Sequence, residues 1–156
     1  MMRTPACCAP ETNLGAAVEI LWSRNCGILP VVDALNRVTA VVTDRDICIA
    51  LGTRNRRPGE ITVAEVASQP VYVCQPTDKI HDALTTMAKA KVRRLPVVDR
   101  DGKLVGILSM DDIVLHARAE TSGKLSEFSS DEVMKTLEAI YGGNLPAVVA
   151  AKSSCN

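Results

Sequence analysis

Aromatic side chains are scarce in this 156-residue sequence: Trp22, Tyr72, Phe128 and Tyr141 are the whole set. A core must therefore be built from Val, Leu, Ile and Ala, whose branched side chains suit strands packed against helices. Excess charge is lacking too, because eighteen basic residues stand against eighteen acidic ones. With no overall field to draw in a polyanion, neither nucleic acid nor an anionic membrane is an expected partner, and phosphate affinity has to be local. No apolar run approaches the roughly 18 residues of a membrane span. The start, Met1-Met2-Arg3-Thr4-Pro5, lacks the apolar stretch of a signal peptide, so a soluble, cytoplasmic protein is predicted.

Catalytic signatures are missing as well. His81 and His116 are the two histidines, with no H-E-x-x-H pattern, and no G-x-x-x-x-G-K-[ST] or G-x-G-x-x-G loop occurs. The expectation is binding without turnover: no enzyme, no metal and no required cofactor. Six cysteines (Cys7, Cys8, Cys26, Cys48, Cys74 and Cys155) include no C-x-x-C pair. They are expected as reduced, small core residues, with the adjacent Cys7-Cys8 as the pair open to oxidation or to cross-linking two subunits.

What is present is an internal repeat. Leu29-Pro30-Val31-Val32-Asp33 returns as Leu95-Pro96-Val97-Val98-Asp99, an offset of 66 (96 − 30). The same offset relates Pro10 to Pro76, Ala17 to Ala83, Leu21 to Met87, Thr43 to Ser109, Asp46 to Asp112 and Ile47 to Ile113. In the first copy Thr12 is the expected N-cap, and Leu14, Ala17, Val18, Leu21 and Trp22 recur at helical spacing, predicting a helix over 12–25. In the second, Asp78 is the expected cap of a helix over 78–90 carrying Ile80, Ala83, Leu84 and Met87. Two β-branched runs follow each helix, 28–33 with 38–43 and 95–99 with 104–109, each pair read as a hairpin. Arg100-Asp101-Gly102-Lys103 supplies turn chemistry in the second. Short helices are expected over 44–51 and 110–117.

These runs divide the chain into a first repeat over 5–51, a Gly-, Pro- and Arg-rich linker over 52–60, a second repeat over 61–118 and a tail over 119–156. Within the second repeat, Ile61 to Val66 reads as a short strand and one helical turn; subtracting 66 runs off the N-terminus, so the first repeat has no counterpart and needs another cover. Ser129-Ser130-Asp131-Glu132 has capping-box spacing and opens a predicted helix over 131–141, with Val133, Leu137 and Ile140 on one face and Gly142-Gly143 at its end. That helix covers the truncated first repeat or packs on a second subunit. Residues 144–156 are expected to be partly disordered.

A helix, a hairpin beginning L-P-V-V-D and a second strand ending in [ST]-x-x-D, repeated in tandem, resembles the CBS (cystathionine-β-synthase) domain pair, or Bateman module. The residues that carry the likeness are Leu29 to Asp33 with Thr43-Asp44-Arg45-Asp46-Ile47, and the continuous stretch from Leu95 to Ile113. The likeness spans 5–118. It implies an α/β (α+β) fold of two pseudo-two-fold-related repeats, each a small sheet packed with two helices, in a homodimer. The first copy departs from the pattern at Ala34-Leu35-Asn36, where the turn glycine is missing, and at Ala40, opposite Gly106 of the second copy.

A hydroxyl and a carboxylate three positions apart at a strand-to-helix junction point the same way, near helix N–H groups. The resemblance implies that Thr43 with Asp46, and Ser109 with Asp112, receive the phosphate and ribose of an adenosine ligand in the inter-repeat cleft. The competing reading is that both tetrads are helix caps. The resemblance further implies that Gly27 and Ile28 offer a backbone edge to adenine at the Asp112 site, and that Arg93 and Arg94 flank the cleft. Adjacent strand residues face opposite ways, so at most one of those arginines enters a given site. Arg45 reaches phosphate or pairs with a carboxylate across a dimer.

Two functions are weighed on these grounds. One is a regulatory sensor of AMP, ADP, ATP or S-adenosylmethionine acting on a target enzyme or transporter; the other is a ligand-free dimerisation and protein-interaction module using the C-terminal helix. Metal or redox sensing through Cys7, Cys8 and Cys155 is a third.

Overall fold

The computed structural model describes residues 5–119 and 129–142. In chain order the elements are α1 (Leu14–Arg24), β1 (Ile28–Val32), β2 (Val38–Thr43), α2 (Asp44–Thr53), α3 (Ile80–Ala90), β3 (Arg94–Val98), β4 (Leu104–Ser109), α4 (Met110–Ala119) and α5 (Ser130–Tyr141). The strands form two two-stranded sheets, β1 with β2 and β3 with β4. This is the mixed α/β architecture that the repeat predicts. Both helix caps move by one residue, however. Asn13, not Thr12, caps α1 by accepting from Ala16 N–H, while Thr12 Oγ1 accepts from Ala9 N–H. At α3 the cap position is Lys79 rather than Asp78, with no side-chain cap bond.

The repeat extends to details that hydropathy does not show. Asn36 (φ 61°) takes the left-handed turn position held by Gly102 (φ 78°), 66 residues later, so the missing glycine costs the first hairpin nothing in topology. Asp33 Oδ1 accepts from Leu35 and Arg37 N–H, as Asp99 Oδ1 does from Asp101 and Lys103 N–H. The two turns also bond reciprocally: Val38 N–H donates to Gly102 O (3.1 Å) and Leu104 N–H to Asn36 O (3.0 Å). Those bonds interchange under the 66-residue offset, which is the pseudo-two-fold relation itself. Ala40 fits for a simple reason. A Cβ placed on Gly106 would meet Val97 at 3.6 Å, an ordinary contact.

The described residues up to Thr77, with Pro96–Ile107, form one compact unit; Asp78–Leu95, with the described residues from Leu108 onward, form a second. In the first, Leu14, Ala17, Leu21, Leu29, Val31, Val42 and Ile47 share a buried core with Ile61 and Val63. Trp22 and Val18 leave the predicted stripe, being 87% and 43% exposed.

The cover of the first repeat differs from expectation. Ile61 to Val66 is no strand of the second repeat: it makes a single antiparallel bridge, Thr62 to Asn13, then a 3-10 turn, Val63–Glu65. Leu14 N–H donates to Ile61 O, Val63 N–H to Thr12 O and Ala64 N–H to Pro10 O. Ile61 and Val63 are fully buried against α1, and that apolar pair is why the segment docks there. Ser68 bridges β2 at Val41, and Cys8 bridges β1 at Val31, so both hairpin edges are occupied. Cys74 bridges Val97 in the same parallel sense, making Cys8 and Cys74 repeat mates.

In the second unit α5 packs on α3 and touches α4. The described part of the tail therefore docks on the helices of the second repeat. Its buried stripe is Val133, Thr136 and Ile140, with Leu137 half-buried. The predicted capping box forms: Ser129 Oγ accepts from Glu132 N–H and the Glu132 carboxylate accepts from Ser129 N–H. The expectations for 144–156, and for Cys155, lie outside the described residues.

None of the five described cysteines is in a disulfide: Cys8 and Cys74 are buried, Cys7 and Cys26 half-buried, and Cys48 is exposed. Cys48 is thus no core residue, because it lies on the outward face of α2. Burial, reinforced by the neighbouring Cys7, pushes the Cys8 thiol up to about 11. Iodoacetamide at pH 8 is expected to modify Cys48 first and to spare Cys8 and Cys74 until the chain unfolds. Peptide mass spectrometry over time reads the order, and early labelling of Cys8 would contradict it.

Candidate functional site

Both [ST]-x-x-D tetrads stand where a second strand hands over to a helix. At the first, Thr43 is the N-cap of α2: its Oγ1 accepts from Asp46 N–H (3.2 Å) and donates to Asp46 Oδ2 (2.7 Å), which also accepts from Thr43 N–H (2.9 Å). Ser109 repeats this before α4. Its Oγ accepts from Asp112 N–H (3.1 Å) and donates to Asp112 Oδ2 (2.5 Å), which also accepts from Ser109 N–H (3.0 Å). Both tetrads are therefore helix caps. That does not exhaust them, because the box engages one carboxylate oxygen only. Among the described residues, Oδ1 of Asp46 and of Asp112 accepts no bond, which leaves an anionic acceptor at each helix start. In the first tetrad Thr43 and Asp46 are half-buried; in the second, Ser109 is half-buried and Asp112 exposed.

The strand residues beside the tetrads differ in kind. Ile28 lies directly across β1–β2 from Thr43 and is buried, with half-buried Gly27 before it. At the same places in the second repeat stand Arg94 and Arg93. Met110 N–H donates to Arg93 O (2.9 Å), and Arg94 Nη2 lies 3.8 Å from Asp111 Oδ2. The second tetrad thus has two guanidinium-bearing residues at its side, and the first has an apolar one. Each arginine has its own partner: Arg93 turns to α5, where Nη1 donates to Tyr141 Oη (3.0 Å) and its guanidinium carbon lies 5.9 Å from the Tyr141 ring centre. Arg45 is exposed, and its side chain makes no ion pair among the described residues.

Tyr141 is the residue that sequence reasoning misses. Its only signal is its position, one past Ile140 in the apolar stripe of a helix that lies outside the repeat. His81, on an exposed helix face, is tied rather than free: its Nδ1 lies 2.5 Å from Glu132 Oε1 and joins α3 to the first turn of α5. His116 Nδ1 lies 3.2 Å from Asp112 O.

The His81 bond, then the Ser129 N–H bond, hold the Glu132 carboxyl below the usual carboxylate range. A folded-state value below the unfolded one gives stability that is fully present above the unfolded value, about 4.3, and is lost as pH falls through the folded one. Exchange protection of α5 is expected to fall on acidification below that range, and Glu132→Gln to flatten the change. Equal acid sensitivity in wild type and variant would contradict this.

Among the described residues no three His, Cys, Asp or Glu side chains gather as metal ligands, and no helix is long and apolar enough to cross a membrane.

Comparison with known proteins follows this geometry closely. The family model of the CBS domain matches residues 1–53 and 63–118. The CBS domain-containing protein YhcV of Bacillus subtilis is 32% identical over 114 residues, covering 73% of this chain and 79% of its own. Some other curated relatives are longer, and of one the chain spans about half, 52%. Among solved structures, the CBS domain pair of protein MJ0100 in complex with 5′-methylthioadenosine and S-adenosyl-L-methionine has a TM-score of 0.64 at 26% identity, covering 73% of this chain and 92% of that one. Hypoxic Response Protein I, solved with two coordinated zinc ions, has a TM-score of 0.67 at 30% identity, covering 74% and 93%.

Proposed function

This chain belongs to the CBS-domain family, and from that premise we propose that it is a regulatory module that binds an adenosine ligand, of the AMP, ADP, ATP or S-adenosylmethionine class, at its [ST]-x-x-D tetrads and turns over nothing. The observation that carries this reading is the second tetrad: a carboxylate oxygen on Asp112 that accepts no bond among the described residues, at the start of α4, beside Arg93 and Arg94. A carboxylate oxygen accepts bonds from ribose hydroxyls, helix N–H groups and guanidinium favour phosphate, and no part of this requires a nucleophile or a general base. The bound adenosine ligands of the MJ0100 structure support the same class.

The ligand acts by binding one conformation of a cytoplasmic homodimer better than another, which a target enzyme or transporter then reads. Exposed Val18 and Trp22 on α1, with Ile49 on α2, support a dimer by leaving apolar surface to cover. Thr43, Asp46, Gly27 and Ile28 belong to the proposed ligand sites with Ser109, Asp112, Arg93 and Arg94, and Arg45 is the cation within the first tetrad. The competing interaction-module reading relies on a free apolar stripe in the tail, and α5 already lays that stripe on α3.

Thermal melting tests the proposal. A ligand that binds only the folded chain stabilises it by about 2.7 kcal/mol at a hundred times its Kd, so a saturable rise in Tm is expected with at least one adenosine ligand. No rise with any of the four at millimolar concentration would overturn it.

A further inference from the structure

The Arg93–Tyr141 contact joins two parts of the second unit that the repeat does not relate. Arg93 adjoins the second tetrad through the Met110 bond to its carbonyl, whereas Tyr141 ends a helix with no equivalent in the first repeat. Arg94 is the less available of the two, being half-buried and facing Asp111. Arg93 is exposed, and its side chain is held by one phenol oxygen and a ring face at nearly the limit of useful cation–π distance. A phosphate is a far better partner for that guanidinium, because a charged acceptor bonds it about twice as strongly as a neutral one and can take two N–H groups at once.

We propose that α5 is a phosphate-responsive latch on the second tetrad: Tyr141 holds Arg93 while the site is empty, and the phosphate of an adenosine nucleotide takes Arg93 from it, freeing the C-terminal end of α5. This rests on the adenosine-ligand reading above and narrows it, at this site, to ligands that carry phosphate. The body of α5 stays in place, because Val133, Thr136 and Ile140 are buried and Glu132 is paired with His81; what Arg93 releases is the Tyr141 side chain and the exposed end of the last turn. Occupancy therefore frays the exposed end of the last turn and leaves the helix docked, so that the ligand state is displayed at Tyr141. Coupling of this kind is reciprocal, and weakening the Tyr141 contact tightens phosphate-bearing ligands alone.

The test uses the full chain, with AMP and adenosine as the pair of probes. Hydrogen exchange over residues 137–141 is expected to quicken severalfold with saturating AMP and to stay unchanged with adenosine. Tyr141→Phe keeps the ring and removes the oxygen; it is expected to bind AMP about two- to fivefold more tightly and adenosine as before, the change expected for one exposed hydrogen bond. Arg93→Ala is expected to erase the preference for AMP over adenosine. If AMP binds but exchange and the Tyr141→Phe affinity do not change, the latch is overturned and the ligand reading stands. S-adenosylmethionine binding without AMP binding likewise overturns the latch alone, and silence from every adenosine ligand overturns both.

Discussion

An Ile61→Ala variant is expected to lose about 2–5 kcal/mol of unfolding free energy, the usual cost of truncating a fully buried aliphatic side chain. Ile61 has no exposed surface and lies in one core with Leu14, Ala17, Leu21 and Leu29. Its carbonyl accepts from Leu14 N–H at 2.9 Å, so the side chain and the backbone anchor the same segment to the start of α1. Arg54 and Arg56 close over the outside through Glu65, at 3.5 and 2.7 Å, but exposed pairs of that kind contribute little, and the apolar contact dominates. Urea unfolding followed by circular dichroism measures the loss. A change under about 1 kcal/mol would mean that the segment is a loosely attached connector and not part of the core.

Val133→Asp is the second large effect. Val133 is 5% exposed in the stripe that α5 lays on α3, and a carboxylate there would lose its water without gaining a partner. That penalty is about 2–7 kcal/mol even when the carboxyl protonates, and a 12-residue helix deprived of its docking surface is marginal by itself in water. The expected result is release of the whole helix: protection at 130–141 falls to that of an open chain while 14–24 keeps its own, because α1 has its core in the other unit. Uniform loss across the chain would contradict that separation, and retained protection at 130–141 would show that α5 is held by something other than its apolar stripe.

Much of this was legible in the sequence, and the reasons are physical. A 66-residue register brings every hairpin and helix of one copy into line with the other, and the Thr43 and Ser109 tetrads fall at strand-to-helix junctions because each hydroxyl–carboxylate pair caps the helix it opens. The turn at Asn36 looks defective in the sequence because glycine is missing, yet asparagine reaches the left-handed region through its short polar side chain, and the hairpin closes as it does at Gly102.

What stayed hidden was which body each connecting segment joins. Ile61 and Val63 open the second copy in sequence, and the family model counts residues 63–118 in it; the bonds of this segment to Pro10, Thr12 and Leu14, which spacing does not reveal, show that it packs on the leading helix of the first. A similar rule operates after the second copy, where Ser129–Glu132 repeats the Thr62–Glu65 box and docks its segment on that unit's leading helix. Long-range pairs such as Arg93 with Tyr141 and His81 with Glu132 carry no local pattern, and nothing short of coordinates reveals them.

Adenosine-ligand binding at the second tetrad is the central claim, and isothermal titration of nucleotide-free protein with AMP, ATP and S-adenosylmethionine, beside Asp112→Ala, tests it most directly. Saturable binding is predicted in the wild type and at least about a hundredfold weaker binding in the variant, since the truncation strips the site of its charged acceptor. The cap lost with the carboxylate costs only about 1 kcal/mol, so the variant stays folded. Equal affinity in the two proteins, or no heat from any of the three ligands, would contradict it.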